Sequence, residues 1–536
     1  MQKLLVTFLF LISYCGFSQQ DAWVYFNDKP NAQSYLDNPL TMLTQRALDR
    51  RTAQGITLNI NDAPIEQTYI DQITNAVGIT IKAKSKWLNC LHIRGSITDI
   101  NALTSLSFVN HVHFADNSLN SKMTIPQIAY PVNKQLGIAT NYNYGASYNQ
   151  VQMLNVNLLH QQNYTGSGKV IAILDAGFPG VDSATPFQNL INNNQILGGY
   201  DYVNKSTDFY TGYQHGTMVL STMGGNVSGQ LIGTAPDAKY YLYITEDVNS
   251  ENPVEESNWV EAAEEADRVG ADIITSSLGY FAFDDPAYGH TYADMTGNSA
   301  FASQGANIAF SKGIVVVASA GNEGTHAEPH VGVPAEAAHV LAIGAVQPNR
   351  IYASFSSIGP TFDNRIKPDV MAQGQNAIVS DPNGTIFGAS GTSFSGPIIA
   401  GSIASFWQAV PNLTNQQVID FVKQSSDRYS NPDNQYGYGI PDFQLALNTA
   451  LLKNQETVIN DFEVAPNPAT DSVSFSFPKG FDMASISFYN TLGQLIIEKK
   501  VSNSFPTLSL QQLNSGVYFY KIEANSFFQS GKIVKE

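Results

Sequence analysis

Four residues that together can attack an acyl carbon stand in the chain in the order Asp175, His215, Asn322 and Ser393. A serine hydroxyl is a weak nucleophile at neutral pH. It needs a base to take its proton, a group to orient that base, and donors to hold the developing oxyanion. His215 can be the base, Asp175 the orienting carboxylate, Ser393 the nucleophile and Asn322 a side-chain donor. Ser393 lies in Gly391-Thr392-Ser393-Phe394-Ser395-Gly396-Pro397, which reads as the start of a helix. A helix beginning just after Thr392 aims the Ser393 N–H and the helix dipole at the same oxyanion. Gly391 allows the tight approach before that helix, and Pro397, in or near the first turn, costs little because N–H groups there lack helical partners. Singly, each residue has an ordinary structural role: Asp175 as a turn or cap, His215 as a helix-start surface residue, Ser393 as an N-cap, Asn322 as a left-handed turn residue. Their joint occurrence, each at a strand or helix end, favours chemistry.

These residues must be positioned by the elements between about residues 148 and 452. Apolar strand-like runs at 170–174, 240–244, 273–274 and 314–318 alternate with helical stretches beginning at His215 and spanning 254–269 and 299–312. Near-continuous Val/Ile runs separated by amphipathic helices predict a mainly parallel sheet covered on both faces. Sites in such sheets form at the carboxyl ends of strands. Asp175 and Asn322 both lie just after such runs.

The chain of 536 residues is too long for one ordinary core and predicts several domains. With 43% hydrophobic and 14% charged residues it has the composition of folded globular material. A formal charge of −17, without basic patches, argues against nucleic acid as a partner. Residues 1–18 read as a secretory signal peptide: Lys3, a short apolar stretch, then small and polar residues. That stretch falls well below the roughly 20 residues a spanning helix needs. Removal of the leader takes Cys15 with it and leaves Cys90, so no intramolecular disulfide forms.

Residues 19–116 alternate strand and helix patterns and predict a small α+β domain, including one helix over about 40–51 and another over about 65–76. Residues 117–147, rich in Asn, Ser, Tyr and Gly, read as an exposed linker where proteases cut. A catalytic domain is expected over 148–452 and a polar connector over 453–461. Residues 462–536 show short alternating segments such as Val473-Ser474-Phe475-Ser476-Phe477, which predict an all-β sandwich.

The middle region resembles the subtilisin-like serine peptidases, whose chain order is also Asp, His, Ser. The similarity extends to Gly233-Thr234-Ala235-Pro236, Asp272-Ile273-Ile274-Thr275-Ser276-Ser277-Leu278-Gly279, Val333-Pro334-Ala335 and Ala353-Ser354-Phe355-Ser356. Departures are small: Ala176 follows Asp175 where Thr or Ser is usual, and Ser395 stands where Ala is common. The resemblance implies a secreted serine endopeptidase made as a proenzyme, with Asp175, His215 and Ser393 as triad and Asn322 in the oxyanion hole. It further implies that Ser277, Leu278 and Gly279 form a cleft wall on which an extended peptide pairs, and that Gly332 lies at the base of the primary specificity pocket; a turn glycine is the alternative for Gly332.

By position, residues 19–116 resemble the propeptides that precede such domains, which inhibit their own enzyme; a stand-alone binding domain is the alternative. Residues 462–536 resemble C-terminal sorting domains of the type IX secretion system of Bacteroidetes, through Val464-Ala465-Pro466-Asn467-Pro468-Ala469, Tyr489-Asn490-Thr491-Leu492-Gly493 and Leu513-Asn514-Ser515-Gly516-Val517-Tyr518. The expected partners are protein or peptide substrates, the protein's own propeptide and the type IX machinery. A monomer is expected, outside the cell or attached to its surface. No cofactor is required for the chemistry. Structural calcium is compatible with the resemblance, but the sequence places no site for it and no metal ligand is assigned. The competing functions are an inactive surface-binding protein on the same fold and a different acyl hydrolase, such as an esterase.

Overall fold

The computed structural model describes residues 19–120, 142–456, 462–477, 481–524 and 527–536. The expected signal peptide and most of the expected linker lie outside the described residues. The chain forms two compact units, Met1–Leu451 and Leu452–Glu536.

The first unit begins with an antiparallel sheet of β1 (Gln19–Phe26), β2 (Thr80–Ser85), β3 (Cys90–Ser96) and β4 (Val109–Phe114), in the order β2-β3-β1-β4. Side chains alternate across a strand. In β1, Ala22, Val24 and Phe26 therefore point to the domain's own core with Leu91, Ile93 and Ile100, while Trp23 turns the other way. Trp23 stacks on Phe301 with ring centroids 4.9 Å apart and joins a core that belongs to the next domain. Burying one such side chain contributes about 1.5–3 kcal/mol. The small domain is thus docked on the larger one through a sheet face.

That larger domain holds a seven-stranded sheet. Its chain order is β5 (Val170–Asp175), β6 (Ile196–Asp201), a short pair β7 (Asn226–Val227) and β8 (Leu231–Ile232), then β9 (Lys239–Ile244), β10 (Ile273–Ser276), β11 (Val315–Ser319), β12 (Leu341–Val346) and β13 (Val370–Gln373). The sheet order is β13-β12-β11-β10-β5-β9-β6, and every pairing is parallel. All six residues of β5 are buried. Ile171 and Ile173 enter one core with Val219 and Ile399, while Val170, Ala172 and Leu174 enter another with Trp259 and Ala306. Helices His215–Gly224 and Thr392–Ala409 accordingly cover one face, and Val254–Val269 and Phe301–Ser311 the other. A hairpin of β14 (Ala377–Ser380) and β15 (Ile386–Ala389) leads into Thr392–Ala409.

Some expected boundaries shift. The predicted helix over 40–51 is a 3-10 turn, Pro39–Thr41, and a helix, Gln45–Ala53, because Thr44 caps the latter by accepting from the Ala47 N–H. The end of the expected linker is packed: Tyr144 and Ser147 are buried, and the Tyr144 hydroxyl pairs with His160 at 2.8 Å. The last helix runs from Phe443 to Glu456, into the expected connector.

In the second unit, β16 (Glu463–Ala465), β17 (Ser472–Ser476) and β20 (Thr507–Ser509) form one antiparallel sheet. A second antiparallel sheet contains β18 (Met483–Tyr489), β19 (Leu495–Ser502), β21 (Gly516–Ala524) and β22 (Phe527–Lys535). Alternate residues such as Val473, Phe475, Ile486 and Phe488 build one shared core between them, the arrangement of a sandwich.

Candidate active site

Asp175 is the last residue of β5 and is fully buried. Its Oδ1 lies 2.7 Å from His215 Nδ1 and accepts from the Ala176 N–H at 2.8 Å. Oδ2 is buried and has no hydrogen-bond partner. Ala176 brings no hydroxyl to this carboxylate, where the usual pattern has Thr or Ser. His215 opens its helix, and Gly216 lets that helix start approach the strand end: a Cβ on Gly216 would lie 2.6 Å from the Phe178 ring and 3.0 Å from Asp175 Cβ.

Burial of the His215 ring disfavours its charged form, yet the charge and hydrogen bond of Asp175, with a further push from Glu246, hold its pKa above the ordinary imidazole value. For an imidazole at neutral pH an upward shift is in the direction that favours general-base work.

Ser393 is the second residue of helix Thr392–Ala409, and Gly391, with φ of 155°, makes the turn before it. Pro397 lies inside this helix rather than in its first turn. Proline has no N–H, so the carbonyl four residues earlier, that of Ser393, loses its helical donor. The Ser277 hydroxyl supplies a replacement at 2.9 Å. The expected cleft residue Ser277 therefore also braces the backbone of the expected nucleophile.

Asn322 follows β11, and its Oδ1 accepts from both the Thr392 N–H at 2.9 Å and the Thr392 hydroxyl at 3.0 Å. With the carbonyl side so occupied, the amide NH2 is the end left to donate outward. Its loop is tied down by Ser357, whose N–H donates to the Gly321 carbonyl at 2.9 Å and whose hydroxyl accepts from the Glu323 N–H at 3.0 Å.

The structure thus joins Asp175 to His215 and Asn322 to the residue before Ser393. The His215 ring lies 6.0 Å, centroid to centroid, from the ring of Phe394, the residue after Ser393. Among the described residues no hydrogen bond joins the Ser393 hydroxyl to His215; such bonds are often long before substrate binds.

Of the expected cleft wall, Ser277 is buried, Leu278 half-buried and Gly279 exposed. Tyr280, next in the chain, donates its N–H to the Val333 carbonyl at 2.8 Å, which brings this wall beside Gly332. Gly332 is absent from the positions with positive φ, so its backbone does not require glycine. A Cβ there would meet the Tyr280 carbonyl at 3.6 Å and the Phe281 ring at 3.9 Å, ordinary contact distances. The missing side chain leaves space rather than relieving strain.

Sequence reasoning missed an acidic cluster whose Glu246 acts electrostatically on His215. Glu246, Glu251 and Glu255 each offer a carboxylate oxygen within 4.8 Å of the others. Burial and neighbouring carboxylates push Glu246 and Glu255 well above the ordinary carboxylate range. Carboxylate oxygens are the donor type a hard divalent cation takes, and these three are the described residues that could hold one. The signal lay in acidic residues of the loop after β9 and of the first turn of helix Val254–Val269, but their convergence depends on how that loop folds.

Comparison with known families agrees with this architecture. Residues 21–129 match the "Peptidase S8 propeptide domain, Bacteroidota", residues 166–439 the "Subtilase family", and residues 463–536 the "Secretion system C-terminal sorting domain". The chain belongs to the subtilase family. It is a secreted serine endopeptidase made as a proenzyme. It is 33% identical over 324 residues to Subtilisin NAT of Bacillus subtilis subsp. natto, covering 60% of this chain and 76% of that protein. It is 34% identical over 291 residues to a subtilisin of Bacillus pumilus, covering 54% and 94% respectively. Serine protease AprX of Bacillus subtilis is 31% identical over 310 residues, covering 52% and 66%. Among the described residues no helix is long and apolar enough to cross a membrane.

Proposed function

We propose that Ser393, His215 and Asp175 are the working triad of this endopeptidase and that Asn322 and the Ser393 N–H hold the oxyanion. As Ser393 Oγ bonds to the scissile carbonyl carbon, His215 Nε2 takes the hydroxyl proton and the carbonyl electrons move onto oxygen. Collapse of that oxyanion breaks the C–N bond, and the leaving amine takes the proton back from Nε2. Water then releases the acyl group by the same route, giving a free acid and restoring Ser393. Asp175 orients the imidazole and stabilises the imidazolium. The observation that carries this assignment is the 2.7 Å contact between Asp175 Oδ1 and His215 Nδ1, which directs Nε2 away from the buried strand end.

Substrate is proposed to lie extended against residues 277–279, pairing through its backbone, with a large apolar or aromatic side chain over Gly332. The chemistry requires no cofactor; a structural cation at Glu246, Glu251 and Glu255 is compatible with the donor set, and no step runs through it. The propeptide is proposed to inhibit its own enzyme, the sorting domain to engage the type IX machinery, and the mature enzyme to act as a monomer. Casein and a simple ester, offered to the wild-type chain and to Ser393→Ala, test the assignment. Efficient casein hydrolysis that disappears with Ser393→Ala is expected; ester hydrolysis without casein hydrolysis would make the esterase alternative the better one.

A further inference from the structure

The small N-terminal domain carries an arm, residues 28–63, between β1 and helix Gln67–Thr74. This arm does not sit on the face that Trp23 covers. Its partners are Gly168 before β5, Asp267 in the last turn of helix Val254–Val269, residues 270–272 before β10, residues 312–313 before β11, and Asn415 at the start of helix Asn415–Gln424. These points mark the amino-terminal edge of the parallel sheet. At the other ends of these strands Asp175 closes β5, and Ser277 and Asn322 lie beyond β10 and β11.

The contacts there are dense and mostly charged. Arg46 pairs with Asp272 and donates to the Gly270 carbonyl at 2.9 Å. Arg50 pairs with Asp267 and donates to the carbonyls of Ala271 and Lys312. Arg51 bridges Asp267 at 2.6 Å and the arm's own Asp62 at 2.8 Å, and Asp62 in turn takes Lys312 at 2.9 Å. Side chains of Arg50, Arg51, Asp62, Asp267 and Lys312 are each no more than 4% exposed. Two glycines on the receiving edge make room for the arm: a Cβ on Gly270 would lie 2.8 Å from the Ala47 backbone nitrogen, and one on Gly313 2.7 Å from Gln54 Nε2.

We propose that residues 28–63 are a second anchor of the propeptide, docked on the sheet edge opposite the catalytic one, and that this anchor holds the propeptide on the enzyme after the chain has been cut. The proposal rests on the N-terminal domain being a removable propeptide. Removing one partner of a buried ion pair leaves the other charge buried and unpaired, so the arm's grip depends on its arginines. It does not depend on occupancy of the active site.

The test uses the full-length Ser393→Ala chain with a site-specific protease sequence inserted between residues 121 and 141, so that cutting needs no activity of its own. After cutting, gel filtration and intact mass follow how long the N-terminal fragment stays bound. The uncut arm is expected to retain it, and Arg46→Ala/Arg50→Ala to shorten retention at least tenfold with unchanged circular dichroism. Equal retention in the folded double variant overturns the proposal. If the double variant does not fold, Arg46→Ala alone, whose side chain is 41% exposed, is expected to shorten retention about threefold, and equal retention there overturns it as well. Because Ser393 is already absent, failure of the triad assignment would not affect either outcome.

Discussion

The two edges of the parallel sheet are built on opposite terms. At the amino-terminal edge Arg50, Arg51, Asp62, Asp267 and Lys312 are buried, and each charge faces an opposite one. At the carboxyl edge the polar groups keep unfilled capacity: Asp175 Oδ2 has no partner, the Asn322 amide is left free to donate, and the Ser393 hydroxyl makes no bond to His215. Only Arg51 Nε is left buried without a partner in that cluster, and the opposed charges fix one arrangement, which suits a docking surface. Incomplete pairing costs stability and leaves groups available to a reacting substrate. The same strands carry both, so β5 and β10 position the proposed catalytic residues at one end and meet the propeptide at the other.

Substitutions at the carboxyl edge should therefore remove activity while sparing the fold. Ser393→Ala or His215→Ala is expected to lower kcat by about 10⁶-fold, since triad members act as a unit. Asp175→Asn is expected to cost about 10⁴-fold, by leaving His215 wrongly oriented and its positive form unsupported. Steady-state assays on casein measure both, with thermal melting to check that folding is kept.

Asn322→Ala should lower kcat on the order of 10² to 10³-fold with little change in KM, because the donor acts only on the developing oxyanion. A variant with full turnover removes Asn322 from that role. Ser277→Ala blurs the contrast between the edges, since Ser277 is proposed to line the cleft and its hydroxyl satisfies the Ser393 carbonyl that Pro397 leaves open. It is expected to destabilise by about 1–3 kcal/mol, seen as a lowered Tm, and to reduce kcat more than KM.

The smallest expected effect concerns pH. His215 must be neutral to act as a base, and its pKa is raised with Glu246 as a minor contributor. The acid limb of kcat/KM should lie above the ordinary imidazole range. Burial and its carboxylate neighbours keep Glu246 largely protonated near neutral pH, so Glu246→Gln removes only part of a negative charge and should move that limb to lower pH by at most a few tenths of a unit, one pKa unit corresponding to about 1.36 kcal/mol. A shift to higher pH would contradict the sign of this coupling.

What was legible in the sequence divides along the same line. Asp175, His215, Asn322 and Ser393 stand out because each carries local signatures, a strand end or a Gly-rich turn, that chemistry and backbone geometry both require. The parallel sheet was readable from uninterrupted apolar runs such as residues 170–174, which only a doubly covered strand needs. The arm was not legible: Arg46, Arg50 and Arg51 fall within a stretch that reads only as a helix, and their partners Asp267, Asp272 and Lys312 lie more than two hundred residues away. Nor was the role of Ser277 toward Ser393, because the consequence of Pro397 depends on where the helix starts. The cluster of Glu246, Glu251 and Glu255 depended likewise on a loop that no local pattern specifies.

The most direct test of the central claim is labelling of the processed enzyme with a fluorophosphonate, followed by peptide mapping. A single adduct on Ser393, lost in His215→Ala, is the expected result. An unmodified Ser393 in folded, processed protein, or an adduct on a different serine, would contradict the assignment of the nucleophile and favour a binding protein that keeps the fold without the chemistry.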